Sequence, residues 1–213
     1  MRTDRLILRR WTPHDLEPFA AINADPAVMK YFRAPLDRAQ SDALVDRIEA
    51  GFEAHGFGLW AVEQIREAGL IGFVGLSVPN FEAPFTPAVE VGWRLASSAW
   101  GNGFATEAAR RAIAAGFDDF GLDQVVSFTA AINTPSIAVM RRLGMTNDPS
   151  DDFDHPTLPA GHQLQRHVLY RLSKDGREVT YARHVASPEA VVPFRRVDPN
   201  REPDGSPTSR YLT

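Results

Sequence analysis

Gly101 and Gly103 stand two apart in the stretch Trp100-Gly101-Asn102-Gly103-Phe104-Ala105-Thr106, and they mark a place where this chain could hold an anion. Upstream, Val89-Glu90-Val91-Gly92-Trp93-Arg94-Leu95 alternates like a strand. Downstream, Glu107-Ala108-Ala109-Arg110-Arg111-Ala112-Ile113 is rich in helix formers, with apolar positions at 105, 108, 109, 112 and 113. The segment therefore reads as strand, turn, helix. Glycine turns tightly and leaves no side chain between main-chain N–H groups and a ligand. The first N–H groups of a helix have no intrahelical partner and carry the positive end of its dipole. Such a turn suits a phosphate or pyrophosphate. Two glycines also serve any tight turn, so the turn alone leaves both readings open.

The acid–base candidates are Glu90, His155, His162 and His167. Glu90 can act as a base, face solvent, or balance a cation such as Arg94. His155 and His162 fall in a segment with no periodicity, where a titrating side chain can reach a site or simply face water. His167 reads as the start of a strand. Asp148, Asp151, Asp152, Asp154 and His155 gather in sequence, but a metal needs converging ligands rather than adjacent letters, and no metal site is expected. This acidic run either draws a cationic substrate or is a solvated face. The chain has no cysteine, which excludes disulfides, thiolate metal sites and a cysteine nucleophile. That fits a reducing cytoplasm.

The elements that must position these residues follow from pattern. The chain has 213 residues, 44% of them hydrophobic, enough for one domain with a sizeable core. Its net charge of −4 supplies no field toward nucleic acid or anionic membrane. Residues 5–11 read as a strand. Thr12 then caps a helix with Pro13 in its first turn. A short helix from 25 to 32 and a longer one over 36–55 follow. Residues 57–64 and 69–78 read as a hairpin, and the proline-containing 79–87 as a loop. Strands at 88–95 and 123–131 flank a helix over 104–120, so that pair is expected to be parallel. A helix over 133–143 precedes an irregular 148–162, and 167–172 reads as the last strand. A strand just after Met145 is expected to be short or absent. Residues 175–213 read as an extension, either flexible or docked on a neighbouring subunit through Val191-Val192-Pro193-Phe194 as a homodimer contact.

The succession Arg5-Leu6-Ile7-Leu8-Arg9, Glu90-Val91-Gly92-Trp93-Arg94-Leu95, Trp100-Gly101-Asn102-Gly103-Phe104-Ala105-Thr106-Glu107-Ala108 and Asn133-Thr134-Pro135-Ser136-Ile137-Ala138-Val139-Met140 resembles the GNAT superfamily of acyl-coenzyme A N-acyltransferases. It is most similar to the branch named for enzymes acetylating the N-terminal alanine of ribosomal proteins. The resemblance covers residues 3–172 and implies an α/β fold: a mostly antiparallel mixed sheet with a central splayed parallel strand pair, flanked by helices. It implies that Trp100, Gly101, Asn102, Gly103, Phe104, Ala105 and Thr106 hold the pyrophosphate of acetyl-coenzyme A. It also implies that main chain near Arg94 and Leu95 pairs with the pantetheine arm, and that Asn133 binds the same arm. In much of the superfamily a tyrosine at the position of Met140 protonates the leaving thiolate. Here the resemblance offers Ser136 as its stand-in, against a plain helix-start hydroxyl. The early helices roof the acceptor site in this family, which makes Trp11 and Phe32 candidates for its wall. Tyr170 could also line the amine pocket, with core packing as the default.

The implied reaction moves an acetyl group from acetyl-coenzyme A directly to an amine, of a small molecule or of a protein N-terminus. No Ser–His arrangement is legible, so no covalent acyl-enzyme is expected. Glu90 is the first choice of base, with His155, His162, His167 or water as alternatives. A non-catalytic acyl-coenzyme A sensor is the competing reading. A Rossmann-like nucleotide binder is disfavoured, since no Gly-x-Gly-x-x-Gly follows the first strand.

Overall fold

The computed structural model describes residues 1–67 and 69–176. Among these, one sheet contains β1 (Leu6–Arg9), β2 (Leu59–Gln64), β3 (Leu70–Ser77), β4 (Glu90–Leu95), β5 (Gln124–Ala130), β6 (Thr146–Asn147), β7 (Phe153–Asp154) and β8 (Arg166–Ser173). The order is β1-β2-β3-β4-β5-β8-β6, with β7 also on β8. Every pairing is antiparallel except β4 with β5. Four α-helices among the same residues flank it: α1 (Leu16–Ala24), α2 (Arg38–His55), α3 (Phe104–Asp118) and α4 (Thr134–Arg142). This is the mixed sheet the sequence predicts.

Local chemistry accounts for the boundaries. Thr12 and Asp15 close the turn before α1, where the Asp15 carboxylate accepts from Thr12 N (2.8 Å) and Oγ1 (2.9 Å). Asp37 caps α2 by accepting from Gln40 N at 2.8 Å, and Gly56 ends it in the left-handed conformation. On α3, Ala108, Ala109, Ala112 and Ile113 form the expected buried stripe. The segment expected to be a short helix before α2 is a single 3-10 turn, Val28–Tyr31. The irregular 148–162 contributes the two-residue strand β7, and β6 is equally short.

Alternation along β3 assigns the two faces of the sheet. Leu76 faces α3, for a Cβ added at Gly116 would lie 3.2 Å from it. Phe73, three residues earlier, points the opposite way and meets Phe19 of α1 at a ring distance of 5.9 Å. So α3 covers one face and α1 the other.

The parallel pair is joined only at one end. β4 and β5 share the single register pair Glu90–Val126, and Val126 N donates to Val89 O at 2.9 Å. Beyond it the strands separate, and β5 pairs along its whole length with β8. Leu76 N donates to Gly58 O, so Leu76 turns its main chain toward β2. Its register partner Val91 therefore faces the gap beside β4, and alternation brings Trp93 and Leu95 to the same edge.

No helix among the described residues is long and apolar enough to cross a membrane. The extension beyond residue 176, with the docking patch Val191-Val192-Pro193-Phe194, lies outside the described residues.

Candidate active site

The turn before α3 is built for an approaching anion. Gly101 and Gly103 have φ of 77° and 79°, values that side-chain-bearing residues rarely adopt. Gly103 is the N-cap of α3. Among the described residues, no protein acceptor takes the N–H groups of Gly101, Asn102 or Gly103. The N–H groups of Phe104, Ala105 and Thr106 follow in the first helical turn, where none has a carbonyl four residues back within the helix. All of these residues except Asn102 line one large cleft of about 1920 Å³.

A brace not foreseen from sequence holds this turn. Arg5 Nη1 donates to Asn102 O at 3.0 Å, Nε donates to Glu107 Oε2 at 2.6 Å, and the guanidinium lies 4.7 Å from the Phe104 ring centroid. Glu107 also accepts from Thr3 Oγ1 at 2.6 Å and Arg5 N at 3.1 Å. Burial pushes the Glu107 carboxyl up, but these bonds outweigh it and hold its pKa below the ordinary value. Arg5 and Glu107 both sit inside recognisable motifs, yet they are 102 residues apart, and only the fold pairs them.

Glu90 lies on the cleft wall. Its cross-strand partner is Ser77, and its carboxyl stands over Gly92, where an added Cβ would be 3.7 Å from Oε1. Burial pushes the Glu90 carboxyl up to about 8, against the lowering effect of the Ser77 hydroxyl bond. It forms no ion pair with Arg94, so the balancing role considered from sequence falls away; the two are four residues apart along β4.

His155 and His167 also line the cleft, with ring centroids 4.8 Å apart among Phe81, Phe128 and Phe153. Burial pushes His167 down to about 4; a bond with the Gln165 carbonyl opposes this and His155 adds to it. Burial lowers His155 as well. His162 does not line the cleft. Its Nδ1 accepts from Leu164 N at 3.1 Å and shapes a turn.

Asn133 and Ser136 meet the cleft at the start of α4. Asn133 Oδ1 accepts from Ser136 N (3.3 Å), and its Nδ2 donates to Thr129 Oγ1 (2.8 Å) and Ser136 Oγ (3.1 Å). The Ser136 oxygen is thus an acceptor within the protein, which leaves its own proton to donate elsewhere. Met140 is buried and lines the same cleft.

Three sequence expectations are corrected. Trp11 is core: it packs on Phe19 at 4.7 Å, donates Nε1–H to Leu59 O at 2.8 Å, and is absent from the cleft wall. Tyr170 is core too, its hydroxyl accepting from Arg141 Nε at 3.3 Å. Alternation along β8 explains it, since an odd step separates Tyr170 from the cleft-lining His167. The main chain of Arg94 faces β3 rather than the gap, its carbonyl oxygen lying 2.0 Å from where a Cβ on Gly72 would be. The groups that face the gap belong to Val91, Trp93 and Leu95, and Trp100 Nε1–H donates to Leu95 O at 2.9 Å. Phe32, by contrast, does line the cleft and is 39% exposed.

The acidic run is engaged locally. Asp148 accepts from Ser150 N, Asp151 pairs with Arg171 at 2.9 Å, Asp152 accepts from Asn147 and Leu169 N, and Asp154 reaches Arg166 at 3.5 Å. None of these four carboxylates lines the cleft.

Comparison with known proteins accords with this geometry. The acetyltransferase (GNAT) domain family matches residues 5–146. An uncharacterized Bacillus subtilis protein, YkkB, is 30% identical over 144 residues, covering 67% of this chain and 83% of that one. The FsC-acetyl coenzyme A-N(2)-transacetylase of Aspergillus fumigatus is 29% identical over 161 residues, covering 72% and 67%. The crystal structure of an acetyltransferase from Agrobacterium tumefaciens superposes with a TM-score of 0.65 at 26% identity, covering 82% of this chain and 94% of that one. The mixed sheet with its one parallel pair, a glycine turn open at a helix N-terminus and a family match over residues 5–146 lead to one conclusion: this protein belongs to the GNAT acetyltransferase family and is an acetyl-coenzyme A-dependent N-acyltransferase.

Proposed function

We propose that the chain transfers an acetyl group from acetyl-coenzyme A to a primary amine, of a small molecule or a protein N-terminus, with Glu90 as base and Ser136 as proton donor. The observation that carries this reading is the cleft itself, which joins the open N–H groups at Gly101–Gly103 to a desolvated carboxyl at Glu90. The residues fit the cosubstrate. Unpartnered N–H groups at a helix N-terminus suit a pyrophosphate. The main-chain edge beyond the single β4–β5 bridge, at Trp93 and the Leu95 N–H, suits the amides of a pantetheine arm. Arg110, Arg111 and Arg142 line the phosphate end and add positive charge there.

Acetyl-coenzyme A supplies the thioester. The amine nitrogen bonds to the acetyl carbon as the carbon–sulfur bond breaks. A lysine-like amine is neutral in only about one molecule per thousand at pH 7, so a proton must be removed. Glu90, at about 8, is matched to that task; His167, at about 4, is too weak a base. The Ser136 proton is available to the departing sulfur. Two prearranged substrates supply much of the remaining acceleration. The lack of cysteine agrees with a cytoplasmic setting.

The test is thiol release with a panel of primary amines on wild type, Glu90→Gln and Ser136→Ala. Glu90→Gln should lower kcat by about 10²-fold while acetyl-coenzyme A still binds. Wild-type turnover by Glu90→Gln would remove Glu90 from the mechanism.

A further inference from the structure

Arg94 is a desolvated cation on the cleft wall, with no counter-charge among the described residues. It shares one face of β4 with Gly92 and Glu90. That is the face α1 covers, because Phe73, the register partner of Arg94, packs on Phe19. The guanidinium carbon lies 4.2 Å from the Phe32 ring centroid and 5.4 Å from that of Phe73. Nη1 donates to Asn23 Oδ1 at 2.6 Å, and Asn23, fully buried, donates in turn to Ser41 Oγ at 2.8 Å. Arg94 Nε is buried and has no partner. Among the described residues no carboxylate pairs with it. Burial pushes Arg94 down to about 10, which still leaves it charged at neutral pH.

A buried charge is tolerated when it is paired. Two aromatic faces and one amide soften the cost here without neutralising it. An incoming carboxylate would do so, because the guanidinium fork takes both carboxylate oxygens. Lys30, two residues before Phe32 and over the Tyr31 ring, also lines the cleft and adds a second cation. The uncompensated guanidinium therefore attracts an anionic group. Glu90 lies further along the same strand face and is left for the amine.

We infer that Arg94, held by Asn23 between Phe32 and Phe73, receives the carboxylate of the acceptor, so that the substrate is an amine bearing a carboxylate, of the amino-acid type. This rests on the acetyl-transfer reading above.

The experiment separates the two. The enzyme–coenzyme A complex is titrated calorimetrically with N-acetyl amino acids (glycine, leucine, phenylalanine) and with the matching N-acetyl amino acid amides. The acids should bind about 10- to 100-fold more tightly than the amides. Arg94→Gln should erase that difference while acetyl-coenzyme A affinity stays within about 2-fold, and Arg94→Lys, which keeps the charge without the fork, should retain part of it. Should Arg94→Gln fail to fold, the Arg94→Lys variant and the wild-type comparison still decide. Equal binding of acid and amide by wild type overturns the inference, as does an undiminished preference in Arg94→Gln. A loss confined to acetyl-coenzyme A affinity would assign Arg94 to the cosubstrate and overturn it too. Thiol release with free amino acids, their amides and a polyamine tests the transfer itself. Release without carboxylate preference defeats only the Arg94 assignment. Binding of acids without any release defeats the transfer reading and leaves the Arg94 site standing.

Discussion

At the scale of single residues, Glu90 and His167 respond to the same burial in opposite directions. Burial favours the neutral form of each, so the carboxyl rises and the imidazole falls. The stability consequences differ in sign. Glu90 rises from 4.5 to about 8, so the folded state holds a proton that the unfolded chain releases. Its favourable contribution is complete below about 4.5 and is lost as pH rises toward 8. Glu90→Gln should therefore raise Tm relative to wild type at pH 8, and leave it unchanged near pH 4. A thermal melt at both values checks this, and a pH-independent difference would show that the carboxyl is not desolvated. The same carboxyl should give a rate that climbs with pH through an apparent pKa near 8 in wild type, with that limb missing in Glu90→Gln.

Two elements carry the site, the α3 turn and the aromatic–histidine cluster over β8. At the turn, Gly103 sits at φ 79°, so Gly103→Val is strained whatever space surrounds it. It should cost about 1–2 kcal/mol of stability and weaken acetyl-coenzyme A binding at least tenfold by calorimetry. Arg5→Ala removes the brace from the loop without altering any residue that meets the phosphates through its main chain. It should weaken binding less than Gly103→Val, and equal losses would mean that the brace, rather than the glycine conformation, sets the turn. In the cluster, His167 falls from 6.5 to about 4 and His155 falls too, so the folded state binds fewer protons than the unfolded chain. This stability is present above about 6.5 and is lost as pH drops toward 4. His167→Phe should flatten that part of the urea-denaturation profile. An unchanged slope would mean that His167 is already solvated in the native protein.

For the molecule as a whole, the gap between β4 and β5 is the feature that couples binding to stability. Beyond the single bridge at Glu90–Val126, main-chain groups of Trp93 and Leu95 face that gap without a neighbouring strand. A ligand that fills it should stabilise the folded state by RT ln(1 + [L]/Kd), about 2.7 kcal/mol at a hundredfold excess over Kd. Hydrogen exchange should slow at Trp93 and Leu95 and at Gly101 to Thr106 when acetyl-coenzyme A is added. Protection spread evenly over the sheet, with none concentrated there, would place the cosubstrate elsewhere.

What the sequence determined by itself is what depends on near neighbours. Alternation marked β1 and β4, apolar spacing marked α3, and Thr12 and Gly56 marked helix ends, because capping and periodicity act over a few residues. The glycine turn was readable for the same reason, since an unpaired helix N-terminus is a local property. Short strands such as β7 were not readable, for two residues carry no period and are held by their partner, β8. Nor were the contacts that distinguish wall from core. Trp11 and Tyr170 became core and Phe32 became wall through strand register and the placing of α1, which no local spacing encodes. The Arg5–Glu107 brace, the approach of His155 to His167 and the isolation of Arg94 all join segments distant in the chain. Only tertiary packing decides them, because desolvation and charge depend on what lies nearby in space, whatever its position in the sequence.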